Sequence, residues 1–270
     1  MKVSRIAGRA ARTGFALFAA IGEVRLRVAP TPRARARRMH ALCAEVASIH
    51  GLRVAVIGAL PDEPCVLVAN HLSYLDPIVV GAQLGCFALA KREVASWPVI
   101  GPAASQLGAI FVDRACVHSR AAALLGSIRA LRAGVPVLNF PEGTTTDGRA
   151  LLPFAPGIFG AARIAAVPVV PIAITYGTPR AAWIGGETFL PHYARTASRS
   201  SLSAVIRVGR AIDPYSFASA HTLAAHARRA VIDLLRPEPE DPHVPSERFV
   251  IPPPRPDAVL PLAEHRLRVA

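Results

Sequence analysis

From residue 52 onward, short apolar runs rich in β-branched residues alternate with longer segments whose apolar residues recur at helical spacing. This alternation is typical of an α/β domain, in which helices cover a largely buried sheet. We therefore expect a single α/β domain with a mixed central sheet flanked by helices. The runs predicted as strands are LRVAVIG, CVLVAN, FALAK, GAIFVD, VPVLNF, VPVVPIAITY and SAVIRVG. The segments predicted as helices are DPIVVGAQL, VHSRAAALLGSIRALRAG and SFASAHTLAAHARRAVIDLLR.

Before this domain, the sequence predicts a basic amphipathic helix. Apolar residues recur at helical spacing, Phe15 and Phe18 widen the apolar face, and Arg5, Arg9 and Arg12 fall on the opposite side. The uncharged stretch TGFALFAAIG has ten residues, whereas a membrane-spanning helix needs about 20. We therefore expect this helix to lie in the membrane interface. The competing interpretation is a signal peptide, which would require a cleavage site that the sequence does not clearly show.

A second helix is predicted to begin after the cap residue Thr31 and to end at Gly51, with Pro32 in its first turn. Positive charge crowds its start, where the helix dipole disfavours cations. An external anionic surface would explain this placement, and a solvated basic face would explain it equally well. The residues concerned are Arg33, Arg35, Arg37 and Arg38.

The sequence therefore divides into three parts. Residues 1–51 are expected to form the two membrane-docking helices, and residues 52–236 the α/β domain. Residues 237–270 form a Pro-rich tail that we expect to be irregular.

The net charge of +13 and the pI of about 11.0 predict an anionic partner: nucleic acid, a membrane surface or a phosphorylated substrate. A mean hydropathy of +0.35 favours lipid, and nucleic acid is not expected because no recognition motif is present and aromatic residues make up 6%. The four cysteines have neither CxxC nor zinc-ligand spacing, which predicts buried thiols in a reducing compartment and no metal. They are Cys43, Cys65, Cys86 and Cys116.

The segment NHLSYLDP places His71 and Asp76 five positions apart, directly after an apolar strand. The carboxyl ends of such strands commonly carry functional groups. One interpretation is structural: Asp76 caps a helix whose first turn holds Pro77, and His71 is a loop residue. The other is chemical: Asp76 binds one imidazole nitrogen and leaves the second nitrogen free as a general base. The spacing alone does not decide between them.

Two later segments also place polar groups after buried strands. GAIFVDR ends in Arg114, which could bind a phosphate through two parallel hydrogen bonds or form a surface ion pair. FPEGTTTDG leaves another strand through a polar loop, where Gly143 permits close backbone approach. In that loop, Glu142, Thr144 and Thr145 could bind polyol or phosphate oxygens, although an ordinary strand-to-loop transition would look similar.

Together with the strand VPVVPIAI, these segments resemble the four ordered motifs of the PlsC-like 1-acylglycerol-3-phosphate O-acyltransferases. Those motifs are H-x4-D, a G-x-IF-x-DR strand, an FPEGT loop and a V-P-x-x-P strand. AKREVASWPVIG resembles the segment between the first two, and the resemblance spans roughly residues 50–215. It identifies residues 52–236 as an acyltransferase domain.

The resemblance implies transfer of an acyl group from acyl-CoA or acyl carrier protein to a hydroxyl of a lysolipid, without a cofactor. His71 would deprotonate that hydroxyl and Asp76 would orient His71. Arg114 and the loop around Glu142 and Gly143 would hold the head group of the acceptor. Lys91 either assists or is a plain surface lysine.

Two departures from the family pattern bear on the acceptor. Members that form phosphatidic acid typically read FPEGTR, where this chain has Thr145, and Ala155 stands where a lysine or arginine is usual. A charge-assisted hydrogen bond contributes ~1.5–3 kcal/mol, so these losses are expected to change the acceptor preference. The EGTTTDG form resembles members that acylate other lysolipids, among them lyso-ornithine lipid. Lysophosphatidate and these other acceptors are both left open.

The expected location is the cytoplasmic face of the cell membrane, as a peripheral or monotopic protein bound to an anionic surface. A more distant alternative is a non-enzymatic membrane-binding protein on a decayed scaffold. The intact motif residues argue against decay: His71, Asp76, Arg114 and Glu142.

Overall fold

The structure, a computed structural model, describes residues 2–26 and 31–236; the Pro-rich tail predicted over residues 237–270 lies outside the described residues. The strands are β1 (Leu52–Ile57), β2 (Val66–Ala69), β3 (Phe87–Lys91), β4 (Ile110–Val112), β5 (Val137–Asn139), β6 (Val169–Tyr176) and β7 (Leu202–Val208). They form one seven-stranded sheet in the order β1-β7-β6-β2-β5-β3-β4. The pairing of β6 with β7 is antiparallel and the other pairings are parallel, so the sheet is mixed as expected.

The helices of the described chain are α1 (Lys2–Leu26), α2 (Pro32–His50), α3 (Asp76–Gly81), α4 (Ile100–Gln106), α5 (Val117–Arg132), α6 (Gly157–Ala165), α7 (Phe189–Ala197) and α8 (Ala220–Leu235). Each strand and helix predicted from the sequence is present, with ends shifted by a few residues. Three helices were not predicted: α4, α6 and α7. None of the described helices is both long enough and apolar enough to cross a membrane.

The central strand β2 is buried at all four positions, because helices cover both faces of the sheet. Successive side chains of a strand point to opposite faces. Leu67 and Ala69 therefore pack in the cluster that contains residues of α2 and α3. Val66 and Val68 pack in the cluster that contains residues of α5, α6 and α8.

The second N-terminal helix has the predicted ends. The hydroxyl of Thr31 accepts a hydrogen bond from the backbone N–H of Ala34 at 3.2 Å, which caps the first turn. At the other end Gly51 adopts the left-handed conformation with φ of 66°, which glycine reaches without a steric cost. These two caps fix the length of α2.

The arginines at the start of α2 mostly contact the protein itself, which corrects both interpretations of their charge. Arg33 donates to the carbonyl of Ala133 at 3.3 Å, and Arg35 lies over the Phe87 ring at 5.8 Å. Arg38 forms an ion pair with Glu23 of α1 at 2.5 Å. Of the four, Arg37 is the exposed one.

Helix α1 buries Ala16 and Ala20 against α2 and neighbouring residues, while an arc of apolar residues faces outward. Val3, Phe15 and Phe18 are exposed by 80%, 76% and 61%. Because residues at these spacings share one side of a helix, α1 has a packed face and an exposed apolar face.

Two of the three arginines on the basic side of α1 are bound to the protein, contrary to the simplest amphipathic picture. Arg5 donates to the carbonyl of Ser198 at 3.0 Å, and Arg9 donates to the carbonyls of Ala197 and Arg199 at 3.0 and 2.6 Å. These carbonyls lie at the C-terminal end of α7, where cations are favoured by the helix dipole. The two arginines therefore fasten α1 to the domain.

Candidate active site

The position of His71 is set by Asn70, which follows the last residue of β2. The Asn70 amide donates to the carbonyl of Ile174 at 2.9 Å and accepts from the N–H of Ile174 at 2.7 Å. A side chain thus replaces one step of the pairing between β2 and β6. His71 consequently leaves the sheet at a fixed point at the carboxyl end of β2.

His71 and Asp76 are in direct contact. Nδ1 of His71 lies 2.8 Å from Oδ2 of Asp76, and the Asp76 side chain is 0% exposed whereas that of His71 is 18% exposed. The geometry therefore brings together the pair that the H-x4-D spacing predicts. A buried carboxylate on Nδ1 fixes the ring orientation and places the N–H of the neutral imidazole on that nitrogen.

Asp76 does not cap helix α3 with its side chain, which corrects the structural interpretation of this residue. The N-cap is Leu75, without a side-chain bond, and Asp76 is the first residue of the helix. Its Oδ2 instead accepts the backbone N–H groups of Leu72 and Ser73 at 2.7 and 2.9 Å. The Asp76 carboxylate therefore stabilises the turn that follows His71 and also binds the imidazole ring of His71.

The remaining oxygen of Asp76 is bound by a residue that the sequence did not reveal. The hydroxyl of Tyr176, at the end of β6, donates to Oδ1 at 2.7 Å. Burial first, and the adjacent Asp76 second, raise the pKa of Tyr176 well above its ordinary value, so the hydroxyl stays protonated and remains a donor. Both oxygens of Asp76 are therefore satisfied without water.

The ring of His71 is also held on its face. It stacks on Phe140 with 4.1 Å between ring centroids and an angle of 16° between the planes. Its Nε2 makes no hydrogen bond to any described residue, and His71 lines a cavity. The nitrogen that a general base would use is therefore available to a ligand.

Glu142 binds the backbone on both of its oxygens. Oε1 accepts the N–H of His71 at 2.8 Å and Oε2 accepts the N–H of Leu152 at 3.0 Å. Burial raises the pKa of Glu142, and these two N–H groups oppose that shift. The geometry thus places Glu142 behind His71 as a positioning residue, and its predicted contact with substrate stays a prediction.

The other loop residues lie at the cavity. Gly143, Thr144 and Thr145 line it, and the φ of 78° at Gly143 is a conformation that favours glycine. Thr144 is exposed, whereas the hydroxyl of Thr145 donates to the carbonyl of Trp183 and joins two loops.

Arg114 and Lys91 reach the same cavity from neighbouring strands. Arg114 is exposed and lies close to Gly143, and its guanidinium makes no hydrogen bond to a described residue. Lys91 forms an ion pair with Glu93 at 3.0 Å, and Glu187, which also lines the cavity, is paired with Arg195. The cavity wall therefore carries Arg114, whose guanidinium has no hydrogen-bond partner among the described residues although the charge of Glu93 is nearby, and two carboxylates that are already in ion pairs.

The cavity has a volume of about 660 Å³ and its walls are mostly apolar, which is within the range of roughly 300–1,000 Å³ found for small-molecule sites. Apolar residues of α1, α2 and α3 form one side, among them Leu17, Leu42 and Ile78, and aromatic residues around Trp183 form another. A chamber of this kind, with His71 in its wall, suits a ligand with an apolar chain and a reacting polar end.

No metal site is found in the described part of the chain, and buried thiols there are unsuited to nucleophilic attack. No group of three or more His, Cys, Asp or Glu residues there is placed to hold a metal ion. The cysteines are free, and burial raises the pKa of the Cys43 and Cys65 thiols to about 12. A thiol in that state is a poor nucleophile.

Known proteins resemble this chain in sequence. Residues 51–175 match a family model described as Acyltransferase. The lyso-ornithine lipid O-acyltransferase of Brucella abortus is 32% identical over 186 residues, which are 62% of this chain and 70% of that protein. The 1-acyl-sn-glycerol-3-phosphate acyltransferase of Neisseria gonorrhoeae is 30% identical over 165 residues, which are 60% and 63% of the two chains.

A solved structure shares the fold. The crystal structure of the 1-acyl-sn-glycerophosphate acyltransferase PlsC from Thermotoga maritima superposes with a TM-score of 0.64 at 22% identity. The match covers 89% of this chain and 100% of that one, and therefore includes more than the region matched by the family model.

Proposed function

Because this chain belongs to the acyltransferase family, we propose that it moves a fatty acyl group from a thioester to the hydroxyl of a lysolipid, with His71 as general base. One observation carries the proposal: Nδ1 of His71 is held by buried Asp76, while Nε2 is available in an apolar cavity. This is the arrangement that general-base catalysis by histidine requires.

In the proposed reaction, Nε2 of His71 takes the proton of the acceptor hydroxyl as its oxygen attacks the thioester carbonyl. Asp76 stabilises the imidazolium that forms and keeps the ring oriented. The tetrahedral intermediate then collapses, the carbon–sulfur bond breaks, and the leaving thiolate receives the proton from His71. The products are the acylated lipid and the free thiol of CoA or acyl carrier protein, so the reaction balances without a cofactor.

The acceptor that the charges favour is lyso-ornithine lipid, whose head group carries one carboxylate and one ammonium. Arg114 could bind the carboxylate. Glu93 and Glu187 are paired with Lys91 and Arg195, so either of them would bind the ammonium by exchanging its present partner. The position of Thr145 supports the same choice, because it offers no second cation for a phosphate and its hydroxyl is engaged by Trp183. The named activity of the Brucella abortus relative is in line with this acceptor.

Lysophosphatidate is the second candidate, and Arg114 is the observation that favours it. An arginine without a hydrogen-bond partner can bind a phosphate through two parallel hydrogen bonds. Lys91 lies at the same cavity but is already paired with Glu93. Among the described residues, a phosphate here would therefore find Arg114 as the cation without a hydrogen-bond partner, while Glu93 stands near both Arg114 and Lys91.

We also propose that α1 docks the protein on a membrane. Its exposed apolar arc includes Phe15 and Phe18, which can enter the boundary between head groups and acyl chains. The cavity is lined partly by Leu17 and Thr13 of this helix. A lipid acceptor could thus pass from the membrane to His71 without crossing water. We place the docked enzyme on the cytoplasmic leaflet, where acyl thioesters are available.

The test is an assay of the purified full chain with one acyl-CoA and three acceptors: lyso-ornithine lipid, lysophosphatidate and lysophosphatidylethanolamine. We expect transfer to lyso-ornithine lipid with the highest kcat/KM. His71→Ala should lose at least a thousandfold in kcat, while His118→Ala, at an exposed position of α5, should match the wild type. Full activity of His71→Ala would refute the general-base role, and preference for lysophosphatidate would refute the choice of acceptor.

A further inference from the structure

A second histidine lies in the wall of the cavity that contains His71. His50 is the last residue of α2, is 8% exposed, and lines the cavity with Thr13 of α1. Its neighbours in this part of the wall are apolar, including Leu42 and Val46. Buried polar groups are nearly always hydrogen-bonded, so each nitrogen of this imidazole is expected to have a partner.

One nitrogen of His50 is bonded and the other is not. Nε2 lies 3.1 Å from the hydroxyl of Thr13, and the ring packs edge-on against Tyr193, with 5.5 Å between centroids and 73° between planes. Nδ1 makes no hydrogen bond to a residue in the described part of the chain. The ring is therefore fixed on two sides, and a ligand in the cavity could bond to the remaining nitrogen.

The imidazole of His50 is uncharged at neutral pH. Burial first, and the charge of Arg9 second, lower its pKa to about 4. The guanidinium of Arg9 is itself occupied by the carbonyls of Ala197 and Arg199. A neutral imidazole has one N–H and one lone pair, so it suits an uncharged oxygen group better than a carboxylate or phosphate.

His50 is well separated from the reacting centre. It lies just before β1, and the order of the sheet places β1 three strands away from β2, which leads to His71. At about 4.8 Å between neighbouring strands, this is on the order of 14 Å across the sheet. A chain that reacts at His71 would reach His50 in its distal half.

We propose that His50 and Thr13 form a polar subsite for a hydroxyl or keto group on the distal half of an acyl chain in the cavity. This inference rests on the proposed acyl transfer, since it assumes a chain that extends from His71. The chain could belong to the thioester donor or to the lysolipid acceptor, and the chemistry recognised is the same. An oxygen function there would complete the hydrogen bonding of His50.

The experiment compares chains that differ by one hydroxyl. In the first arm the purified full chain receives ricinoleoyl-CoA or oleoyl-CoA with a common acceptor, and the two kcat/KM values are compared. In the second arm the donor is palmitoyl-CoA, and the lysolipid carries a ricinoleoyl or an oleoyl chain. We expect a preference of roughly two- to tenfold for the hydroxylated chain in one arm, the effect of one net hydrogen bond. The arm that shows it identifies which chain occupies the subsite.

Three variants connect the preference to the subsite. His50→Phe should bring the ratio of the two kcat/KM values close to one, because the ring is kept and the nitrogen is lost. Thr13→Val should reduce the ratio in part, because Nε2 of His50 loses its hydrogen-bond partner. The orientation of the His50 ring is then less well fixed. His118→Phe, at an exposed position outside the cavity, should keep the wild-type ratio.

Equal rates for hydroxylated and unsubstituted chains in both arms would overturn the proposal, as would a preference that survives both His50→Phe and Thr13→Val. If the wild type transfers no acyl group from any donor, the proposed function fails, and the subsite is then judged by binding. A larger increase in Tm with ricinoleic than with oleic acid, absent in Thr13→Val, would support it. Equal increases would refute it.

Discussion

The hydroxyl of Tyr176 donates a hydrogen bond to the oxygen of Asp76 that His71 leaves unused, at 2.7 Å. Tyr176 ends β6 and Asp76 begins α3, so the contact connects Asp76, and through it His71, to the strand beside β2. Asp76 is held on the opposite oxygen by His71 and by two backbone N–H groups. Its carboxylate is thus fixed in position from two directions.

Tyr176→Phe tests this contact directly. Removing the hydroxyl leaves one oxygen of the buried Asp76 without a partner, which costs ~1–3 kcal/mol. We expect a free energy of unfolding lower by about that amount in urea titration, and a kcat about tenfold lower with a smaller change in KM. Tyr215→Phe is the matched control, because Tyr215 is exposed and donates to the carbonyl of Arg163, and neither residue lines the cavity. Wild-type kcat in Tyr176→Phe would show that the contact does not support His71.

Glu142→Gln tests whether Glu142 positions His71. A carboxylate accepts from both His71 and Leu152, whereas an amide has one acceptor and would turn its NH₂ towards the other N–H. We expect a loss of about 1–2 kcal/mol in unfolding free energy and a lower kcat. The KM for the acceptor should change less than kcat, since the contact is to the backbone of the base.

Glu45→Gln is the control for this change, at an exposed position of α2. A rise in KM with unchanged kcat would instead assign Glu142 to substrate binding, as the sequence comparison with the family suggested.

The stability of the protein should depend on His50 at mildly acidic pH. Burial, and then Arg9, lower the pKa of His50 from 6.5 to about 4. Below pH 6.5 the unfolded chain therefore binds a proton that the folded chain does not, and stability falls as the pH approaches 4. The contribution of this one residue is at most about 3 kcal/mol.

Urea titrations of the wild type and of His50→Phe between pH 4 and pH 7 measure this contribution. The difference between the two unfolding free energies at each pH isolates the contribution of His50, because His192, whose pKa is also lowered, is present in both proteins. The unfolding free energy of His50→Phe should vary less with pH than that of the wild type. Parallel curves would show that His50 has an ordinary pKa in the folded state.

Membrane docking through α1 is tested by Phe15→Ser with Phe18→Ser. Both side chains are exposed, so the fold should be retained, while each phenylalanine that enters the apolar layer contributes ~1.5–3 kcal/mol. We expect co-sedimentation with vesicles containing anionic lipid to weaken at least tenfold. Leu125→Ser, at a position of α5 that is 53% exposed, should bind as the wild type does. Equal vesicle binding by the double variant would show that this face of α1 does not bind the membrane.

The acceptor can be shifted by restoring the cation that the loop lacks. Thr145→Arg adds a guanidinium to the cavity wall, which should raise kcat/KM for lysophosphatidate relative to lyso-ornithine lipid by about tenfold. Ala155→Arg adds the same charge at an exposed position outside this wall and should have a smaller effect. Unchanged ratios in both variants would show that acceptor choice is made elsewhere.

Local sequence patterns predicted the strands and the ends of α2, because each depends on residues a few positions apart. The contact between His71 and Asp76 was expected only from the resemblance that the four ordered motifs carry together, since the spacing alone left a structural interpretation open. Helix α7 was missed because it is short and contains Pro191, which is tolerated there as a residue of the first turn. Helix α6 was missed because GIFGAARIA is short and contains two glycines, which weaken helix propensity. Short helices of this kind are stabilised by packing more than by propensity.

Contacts between distant parts of the chain were beyond local patterns. Tyr176 and Asp76 are separated by 100 positions, and their contact depends on β6 lying next to β2. Arg9 and Ala197 are separated by 188 positions, so an arginine that appears solvent-facing on a helical projection is in fact bound. Such pairings require the order of the sheet and the docking of α1, which no single segment determines.

The amide of Asn70 has a consequence for how this enzyme could diversify. Because Asn70 continues the pairing with Ile174, His71, the proposed base, is positioned by the sheet whichever acceptor is bound. The residues proposed to bind the head group lie outside the strands: Arg114 follows β4, Glu93 follows β3, and Glu187 precedes α7. Natural selection could therefore exchange one lipid for another by altering those segments, and the chemistry would be inherited unchanged.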